Sequence, residues 1–297
     1  MRVVDAVAEM RHIRAGCPGR VALVPTMGAL HRGHEELIRR ARRGGETLVV
    51  SLFVNPKQFG SGEDLAAYPR SLEDDAEICR RHHVDVLFAP SVEEMYPPTD
   101  DLVVDPGPVG RLLEGARRPG HFVGVATVVA KLFDIVCPDR AFFGEKDAQQ
   151  LVVIRNLVTQ LGLDVQIIPV PTVREPDGLA VSSRNVYLTR PERRAAGILY
   201  QALVAVGEAW SSGERHGAHL RVLMSDILAR EPLAEPEYVS IADPETLLEL
   251  EQAGPVALAS MAVRIGRTRL IDNVLLGRED LDLPRSAASA NNPERSA

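Results

Sequence analysis

Up to about residue 170 the chain alternates between short apolar runs and segments in which apolar residues recur at helical spacing. Val21 to Val24 is an uninterrupted apolar run, whereas the segment after His34 repeats apolar residues three or four positions apart. The pattern predicts strands over 21–24, 47–54, 84–88, 140–143 and 165–170, and helices from about 31 and over 71–82, 123–136 and 149–161. Short apolar strands that alternate with helices are typical of a parallel sheet covered on both faces.

The pattern changes after residue 185. Thr189 and Glu192 have the spacing of a capping box, and the helix that they predict carries one apolar face as far as Val206. A second helix is expected near 220–228, followed by strands near 238–241, 256–264 and 268–272. We therefore predict an α/β protein with a Rossmann-like parallel-sheet domain over 1–173, a smaller α+β domain over 174–283, and a disordered tail over 284–297.

Composition and charge narrow the class of protein. The chain has 297 residues, of which 45% are hydrophobic and 25% are charged, so it can bury a sizeable core. A net charge of −7 argues against a general nucleic-acid binder. The cysteines show no metal-binding spacing, no signal peptide opens the sequence, and no apolar stretch reaches membrane length. We expect a cytoplasmic protein that binds neither nucleic acid nor a membrane.

Two histidines stand where the first buried strand gives way to a helix. His31 and His34 follow a Pro25-Thr-Met-Gly turn and flank Gly33, on the first turn of the predicted helix. Unpaired backbone N–H groups and the positive end of the helix dipole make such a turn an anion site, to which two imidazoles add donors. A lone histidine would more often be incidental there, but a pair around a glycine favours phosphate binding.

Other interpretations of this histidine pair have less support. Zinc would need a third ligand, and no His-Glu-x-x-His motif occurs in the chain. The sequence also has no G-x-x-x-x-G-K-[ST] loop and no G-x-G-x-x-G turn after a strand. Neither a P-loop kinase nor a dinucleotide dehydrogenase is therefore indicated.

Three further loops follow predicted strands, at the end of a parallel sheet where ligands bind. The loop 55–62 offers amides, a lysine and glycines, which suit hydroxyl and carboxylate groups but also fit an ordinary polar turn. Lys146 fits a position over a phosphate, with Asp147 as the cap of the following helix. The segment 182–185 supplies hydroxyls and a guanidinium for a phosphate, unless it is a solvent-exposed linker.

Taken together, these segments resemble the pantothenate synthetase family. The motifs that carry the resemblance occur in order, as Pro25-Thr-Met-Gly-Ala-Leu-His-x-Gly-His, Phe53-Val-Asn-Pro-x-Gln-Phe-Gly, Tyr68-Pro-Arg, His121-Phe-x-Gly-Val, Phe142-Phe-Gly-Glu-Lys-Asp-x-Gln-Gln and Val173-Arg-Glu-x-Asp-Gly-Leu-Ala-x-Ser-Ser-Arg-Asn. The likeness runs from about residue 20 to about 276. A single His-x-Gly-His would indicate only the wider nucleotidyltransferase superfamily, whereas the ordered set is specific.

The resemblance implies an ATP-dependent ligase that joins (R)-pantoate to β-alanine through a pantoyl-adenylate, with release of pyrophosphate and AMP. By similarity, His31, His34, Lys146 and Arg184 are the catalytic residues, and His34 is the proton donor. The implied ATP site comprises Met27, Gly28, Ala29, Leu30, His31, Arg32, Gly33, His34, Gly144, Glu145, Lys146, Asp147, Val173, Val181, Ser182, Ser183 and Arg184.

The same comparison implies that Gln58 and Gln150 hold pantoate, and that Gln58 also touches β-alanine. Magnesium is expected with ATP, and we take Asp74 as its candidate protein ligand, although capping of the helix after Ser71 explains this residue equally well. The family resemblance further implies a homodimer with small molecules as its substrates.

The sequence departs from the family pattern at two positions beside the implied pocket. Val181 stands where Met or Leu is usual, and Ala148 where an aromatic residue is common. We expect these changes to affect substrate affinity more than the reaction.

Two other functions are alternatives to the ligase. A non-catalytic binding protein would be expected to lose some of the charged residues, which are present here. A nucleotidyltransferase for a phosphorylated substrate would need a second anion site, where this chain has two glutamines.

Overall fold

The computed structural model describes residues 1–278, which form two compact units. The first unit comprises 1–188 with 245–247, and the second comprises 189–244 with 248–278. In the first unit the strands are β1 (Arg2–Val4), β2 (Val21–Thr26), β3 (Thr47–Leu52), β4 (Val86–Phe88), β5 (Arg140–Gly144) and β6 (Gln166–Val170). They form one sheet in the order β1-β4-β3-β2-β5-β6, and every neighbouring pair is parallel.

Helices connect these strands. They are α1 (Val7–Ala15), α2 (Arg32–Arg42), α3 (Leu72–Arg81), α4 (Val92–Met95), α5 (Leu113–Arg117), α6 (His121–Val136) and α7 (Ala148–Leu161). The apolar face of α2, with Leu37, Ile38 and Ala41, joins a buried cluster with residues of β2 and β3. Because β2 is at most 1% exposed from Val21 to Val24, it lies at the centre of the core. The loop that follows β2 is thus held by a rigid strand on one side and a packed helix on the other.

The second unit is built from helices and an antiparallel sheet. Its elements are α8 (Arg190–Ala195), α9 (Ile198–Ser211), α10 (Gly217–Leu228), β7 (Ala234–Ala242), β8 (Ala257–Ile265) and β9 (Thr268–Leu276). The sheet order is β7-β8-β9. Buried and half-buried residues alternate along β9, as expected of a strand with one face against helices. None of the helices within residues 1–278 is long and apolar enough to cross a membrane.

The predicted fold class is confirmed, since a parallel sheet with flanking helices precedes a smaller α+β unit. Three details differ from the prediction. The pattern missed β1 and α1 near the start of the chain, and the single helix expected after Thr189 is broken into α8 and α9 around Gly197. The first unit runs on to Leu188 rather than ending at 173, because the segment after 173 packs into its cavity. The predicted tail 284–297 lies outside the described residues.

Candidate active site

A cavity of the first unit lies at the carboxyl ends of β2, β5 and β6. It is lined by residues at or just after the ends of those strands, and by residues of neighbouring helices and loops. The polar and charged members are Thr26, His31, His34, Gln58, Tyr68, Arg118, His121, Lys146, Asp147, Gln150, Thr172, Ser182, Ser183 and Arg184. This is the edge at which parallel sheets bind ligands, so the cavity is the candidate active site.

His31 and His34 cap the start of α2 for each other. The backbone N–H of Gly33 donates to Nδ1 of His31 over 3.1 Å, and the N–H of His31 donates to Nδ1 of His34 over 3.3 Å. The two rings stack with their centroids 4.0 Å apart. A Cβ on Gly33 would come within 2.9 Å of the His31 ring, so a larger residue there would push the ring out of its position. Because each neutral ring accepts at Nδ1, its proton lies on Nε2 and is available to a ligand.

Both rings are neutral in the free protein at neutral pH. Burial lowers the pKa of His31 to about 4, with a further lowering by the nearby Lys146 ammonium. Burial, His31 and Lys146 together hold the pKa of His34 well below its ordinary value. The site therefore offers two neutral N–H donors beside a lysine, an arrangement that suits an incoming anion.

The loop between β2 and α2 is held by Asp75 of α3. Its carboxylate accepts the backbone N–H of Ala29 over 3.0 Å and that of Leu30 over 2.7 Å. Ala29 has a φ of 51°, a left-handed conformation that such an anchor must sustain. Ala29 and Leu30 belong to the predicted ATP site, but their backbone N–H groups already bind Asp75 and are not available to a phosphate.

The phosphate-binding candidates on the other loops line the same cavity, and Lys146 lies close enough to His31 and His34 to lower the pKa of both. Lys146 lies in a 3₁₀ turn after β5, and its Nζ is 3.9 Å from Oδ1 of Asp147. Asp147 stands at the N-cap position of α7, as predicted, but its side chain makes no capping hydrogen bond. Val181 N–H donates to the Val173 carbonyl over 2.9 Å, which sets these two lining residues side by side before Ser182.

Gln58 lies in the 3₁₀ turn Pro56–Gln58 and is 9% exposed. Its Nε2 donates to the Met27 sulfur over 3.0 Å, and its Oε1 accepts from Asn55 over 3.2 Å.

Gln150 directly follows Gln149, whose side chain forms hydrogen bonds with the backbone of residues 109, 112 and 114. The side chain of Gln150 lines the cavity, so the two adjacent glutamines have different positions in the fold.

Arg118 and His121 also line the cavity, although the sequence prediction assigned them no role. His121 Nδ1 is 2.9 Å from the Gln58 carbonyl oxygen, and burial together with Arg118 lowers its pKa to about 4. Arg118 donates two hydrogen bonds, of 2.7 and 2.6 Å, to Glu63. A motif that begins at His121 signals that residue, whereas Arg118 stands outside every recognised motif.

The apolar lining residues of the cavity, called here its apolar wall, come from several elements. They are Leu37, Phe53, Phe59, Val125, Val128, Val129, Leu132, Phe143 and Val170. Most of the aliphatic members lie on one face of α6, a helix that is buried along most of its length. A ligand in this cavity therefore meets apolar surface as well as hydrogen-bond donors.

Most of the predicted site residues line this one cavity. The exceptions are Gly28, Ala29, Leu30, Arg32, Glu145 and Asp74. Arg32 forms an ion pair with Glu175 instead. Asp74 is exposed on the first turn of α3, where its N–H donates to Ser71, so its predicted metal role gains no support. Within residues 1–278 no group of three or more His, Cys, Asp or Glu side chains could hold a metal ion.

The fold and the cavity together define an α/β protein with a ligand site at the carboxyl edge of a parallel sheet. Residues 2–275 match the sequence profile of the pantoate-beta-alanine ligase family. A pantothenate synthetase of Roseiflexus castenholzii is 56% identical over 276 residues, which are 93% of this chain and 99% of that protein. One of Sinorhizobium medicae is 51% identical over 98% of this chain and 99% of its own.

Solved structures give the same result. A crystal structure of pantothenate synthetase from Thermus thermophilus has a TM-score of 0.88 and 50% identity, covering 92% of this chain and 99% of that one. The pantoate-beta-alanine ligase from Francisella tularensis, complexed with beta-gamma ATP and beta-alanine, has a TM-score of 0.76 and 35% identity, covering 93% and 97%. The chain belongs to the pantoate-beta-alanine ligase family.

Proposed function

We propose that this protein condenses (R)-pantoate with β-alanine at the expense of ATP, through a pantoyl-adenylate, and releases AMP and pyrophosphate. The observation that carries the proposal is the meeting of two kinds of group in one cavity. The candidate phosphate-binding donors, which include His31, Lys146 and Arg184, line the same cavity as Gln58, Gln150 and the apolar wall. A phosphorylated second substrate would favour further cations at the glutamines, whereas two amides and an apolar surface suit a hydroxylated, branched carboxylic acid.

In the first step a carboxylate oxygen of pantoate attacks the α-phosphorus of ATP, and the bond to the bridging oxygen of pyrophosphate breaks. Such a reaction depends on positioning and on stabilising charge at the phosphoryl oxygens. We assign this stabilisation to Lys146, Arg184 and the Nε2–H groups of the histidines, with Ser182 and Ser183 as further donors. His34 is the proposed proton donor to the leaving group, a role that requires the imidazolium form, which the negative charge of bound ATP favours by raising the pKa of the ring. The other residues of the predicted ATP site serve to shape and bind the nucleotide.

In the second step the β-alanine amine attacks the acyl carbon of the adenylate. An amide bond forms, AMP leaves with the electron pair of the broken anhydride bond, and the nitrogen loses a proton. We assign the pantoate hydroxyls and carboxylate to Gln58 and Gln150, and the two methyl groups of pantoate to the apolar face of α6. A mixed anhydride hydrolyses in water, so retention in the cavity protects it until the amine arrives.

Magnesium enters this proposal as part of the substrate, bound to ATP. In such a role Mg²⁺ usually keeps several waters and substrate oxygens as ligands. We assign no metal role to the exposed Asp74.

The order of the two steps gives the experiment that tests the function. With labelled pyrophosphate, ATP, Mg²⁺ and pantoate but no β-alanine, the protein is expected to exchange label into ATP. Omission of pantoate is the matched control and should abolish the exchange. Exchange that requires β-alanine, or formation of ADP and orthophosphate, would overturn the adenylate mechanism.

We also propose that the protein forms a homodimer through its first unit. Family resemblance supports this proposal. Light scattering at micromolar concentration is expected to give twice the chain mass, and a monomer would refute the proposal.

A further inference from the structure

A chain of hydrogen bonds runs behind Gln58 and ends at a tyrosine that does not line the cavity. The hydroxyl of Tyr96 donates to Oδ1 of Asn55 over 2.9 Å. Asn55 in turn donates from Nδ2 to Oε1 of Gln58 over 3.2 Å. Gln58 donates from Nε2 to the sulfur of Met27 over 3.0 Å. The series therefore connects α4, which ends one residue before Tyr96, to two lining residues of the cavity.

The side-chain amide of Asn55 has one orientation that satisfies all its neighbours. Its Oδ1 accepts from Tyr96 and from the backbone N–H of Lys57, over 3.1 Å. Its Nδ2 donates to Gln58 and to the Gly124 carbonyl, over 3.0 Å. A rotation of the amide by 180° would oppose donors to donors and acceptors to acceptors at a residue that is 1% exposed. Tyr96 supplies one of the donors that fix this orientation.

We propose that Tyr96 is a positioning residue, which acts through Asn55 to make Gln58 a hydrogen-bond donor toward the substrate. Oε1 of Gln58 is turned to Asn55, so Nε2 is the atom that it presents on the cavity side. The thioether of Met27 is a weak acceptor, and a carboxylate or hydroxyl oxygen of the substrate is a better partner for this N–H group. This inference rests on the proposed function, because it specifies how Gln58 recognises the acid.

The surroundings keep Tyr96 in position and protonated. Its ring lies 6.0 Å from that of Phe53, and the Lys57 ammonium lies 4.0 Å from the ring centroid. Burial, together with the carboxylate of Asp100, raises the pKa of Tyr96, so its hydroxyl remains a donor across the working pH range. The loss of the hydroxyl alone would leave these ring contacts intact.

The turn that carries Asn55 is also pressed against α6. A Cβ on Gly124 would come within 2.4 Å of the Lys57 carbonyl oxygen, so the backbones meet at a distance that only glycine permits. This contact fixes the backbone of the turn. The side-chain amides of Asn55 and Gln58 can still rotate, and the hydrogen bond from the Tyr96 hydroxyl restricts that rotation.

The first test is Tyr96→Phe in the full-length protein, with steady-state kinetics of AMP formation. We expect the KM for pantoate to rise about fivefold, because the substitution removes the net contribution of one hydrogen bond. The KM for ATP should change less than about twofold. Tyr200→Phe, which removes a hydroxyl in the second unit, is the control and should leave both values unchanged. Equal pantoate KM values for Tyr96→Phe and the wild type would overturn the proposal.

The second test separates positioning from a general loss of stability. If Tyr96 acts through Gln58, then Tyr96→Phe should have no further effect on the pantoate KM in a Gln58→Ala background. Additive effects of the two substitutions would overturn the proposal. A general destabilisation would instead lower the melting temperature equally in both backgrounds.

A third measurement does not depend on activity. The side-chain amide signals of Asn55 and Gln58 in a ¹H–¹⁵N spectrum should both shift in Tyr96→Phe and remain unchanged in Tyr200→Phe. Unshifted signals would refute the network whether or not the protein uses pantoate. A wild-type protein that forms no AMP with pantoate would refute the proposed function and, with it, the substrate role of Gln58.

Discussion

Asp64 holds Arg184 by two parallel hydrogen bonds, of 3.1 and 3.0 Å, between its carboxylate and the guanidinium. Burial alone would lower the pKa of Arg184. The hydrogen bonds and negative charge of Asp64 outweigh this effect and raise the pKa above its usual value. Arg184 lines the cavity, so a phosphate that binds it competes with a carboxylate already in place.

Asp64→Asn should therefore tighten nucleotide binding. With the competing charge removed, we expect the KM for ATP to fall about threefold, because a neutral amide is a weaker partner for a guanidinium than a carboxylate is. Initial rates at saturating pantoate and β-alanine would measure it. Asp105→Asn, which weakens the exposed pair with Arg111, is the control and should change nothing. A higher KM for ATP in Asp64→Asn would show that Asp64 supports the site rather than competes for it.

His31→Ala and His34→Ala should each lower turnover by at least about a hundredfold, because each removes a donor aimed at developing charge. Circular dichroism should show that both variants remain folded, although the loss of a cap costs about 1 kcal/mol. The chain provides a matched control in His216 and His219, which stack 4.3 Å apart at the exposed start of α10. Alanine at those positions should leave turnover unchanged. Near-normal turnover of a folded His31 or His34 variant would exclude that residue from the mechanism.

Gln150→Ala should raise the KM for pantoate far more than the KM for ATP, because this residue is assigned to the acid. Gln160 is exposed on the same helix, so Gln160→Ala tests whether any glutamine lost from α7 has this effect. Kinetics with each substrate varied in turn would separate the two constants. Equal increases in both would contradict the assignment.

Asp75→Asn should destabilise the loop before α2. An amide in place of the carboxylate opposes an N–H group to one of the two backbone donors, at a cost of about 1–3 kcal/mol. We expect a lower free energy of unfolding and a higher KM for ATP, measured by urea denaturation and by kinetics. Asp74→Asn, one residue earlier and exposed, should change stability by less than about 0.5 kcal/mol and leave activity intact. A strong loss of Mg²⁺-dependent activity in Asp74→Asn would instead revive its metal role.

Stability should fall on mild acidification. Burial lowers the pKa of His31 and of His121 to about 4, and that of His34 also lies well below its ordinary value of 6.5. Between pH 6.5 and about 4 the unfolded chain therefore binds more protons than the folded one. Stability is fully present above pH 6.5 and declines as the pH falls, by up to about 1.4 kcal/mol per pH unit for each such histidine.

His31→Asn isolates one contribution to this decline, because asparagine can cap a helix but does not titrate. Urea denaturation from pH 7.5 to 4.5 should give a shallower loss of stability for this variant than for the wild type. Identical slopes for His31→Asn and the wild type would mean that His31 does not couple folding to pH.

The sequence predicted most of the first unit because its strands are short apolar runs buried on both faces, such as Val21 to Val24. The histidine pair could also be predicted, since a strand, a glycine turn and a helix are consecutive in the chain. Local pattern does not reveal which residues from distant segments meet. Arg118 and Glu63 are 55 residues apart, and only the folded sheet brings them together beside Gln58.

The different surroundings of Asp74 and Asp75 have a geometric cause. Adjacent residues on a helix point about 100° apart, so one can face solvent while the next faces the core. The buried residues of α3 are Asp75, Ala76 and Cys79, which lie on one stripe. This apolar stripe could have identified Asp75 as the inward-facing acid, whereas a capping pattern with Ser71 drew attention to its neighbour.

The reciprocal cap of His31 and His34 limits how this protein can diverge. Each imidazole gives one nitrogen to the backbone and keeps the other for a ligand, so a replacement must satisfy both. Serine or asparagine could cap the helix start, but their shorter side chains would not reach a ligand in the cavity. Lysine could reach an anion, but it has no acceptor for the backbone N–H group. Descendants that acquire a different ligand are therefore expected to vary at Gln58, Gln150 or the apolar wall before they vary at this helix start.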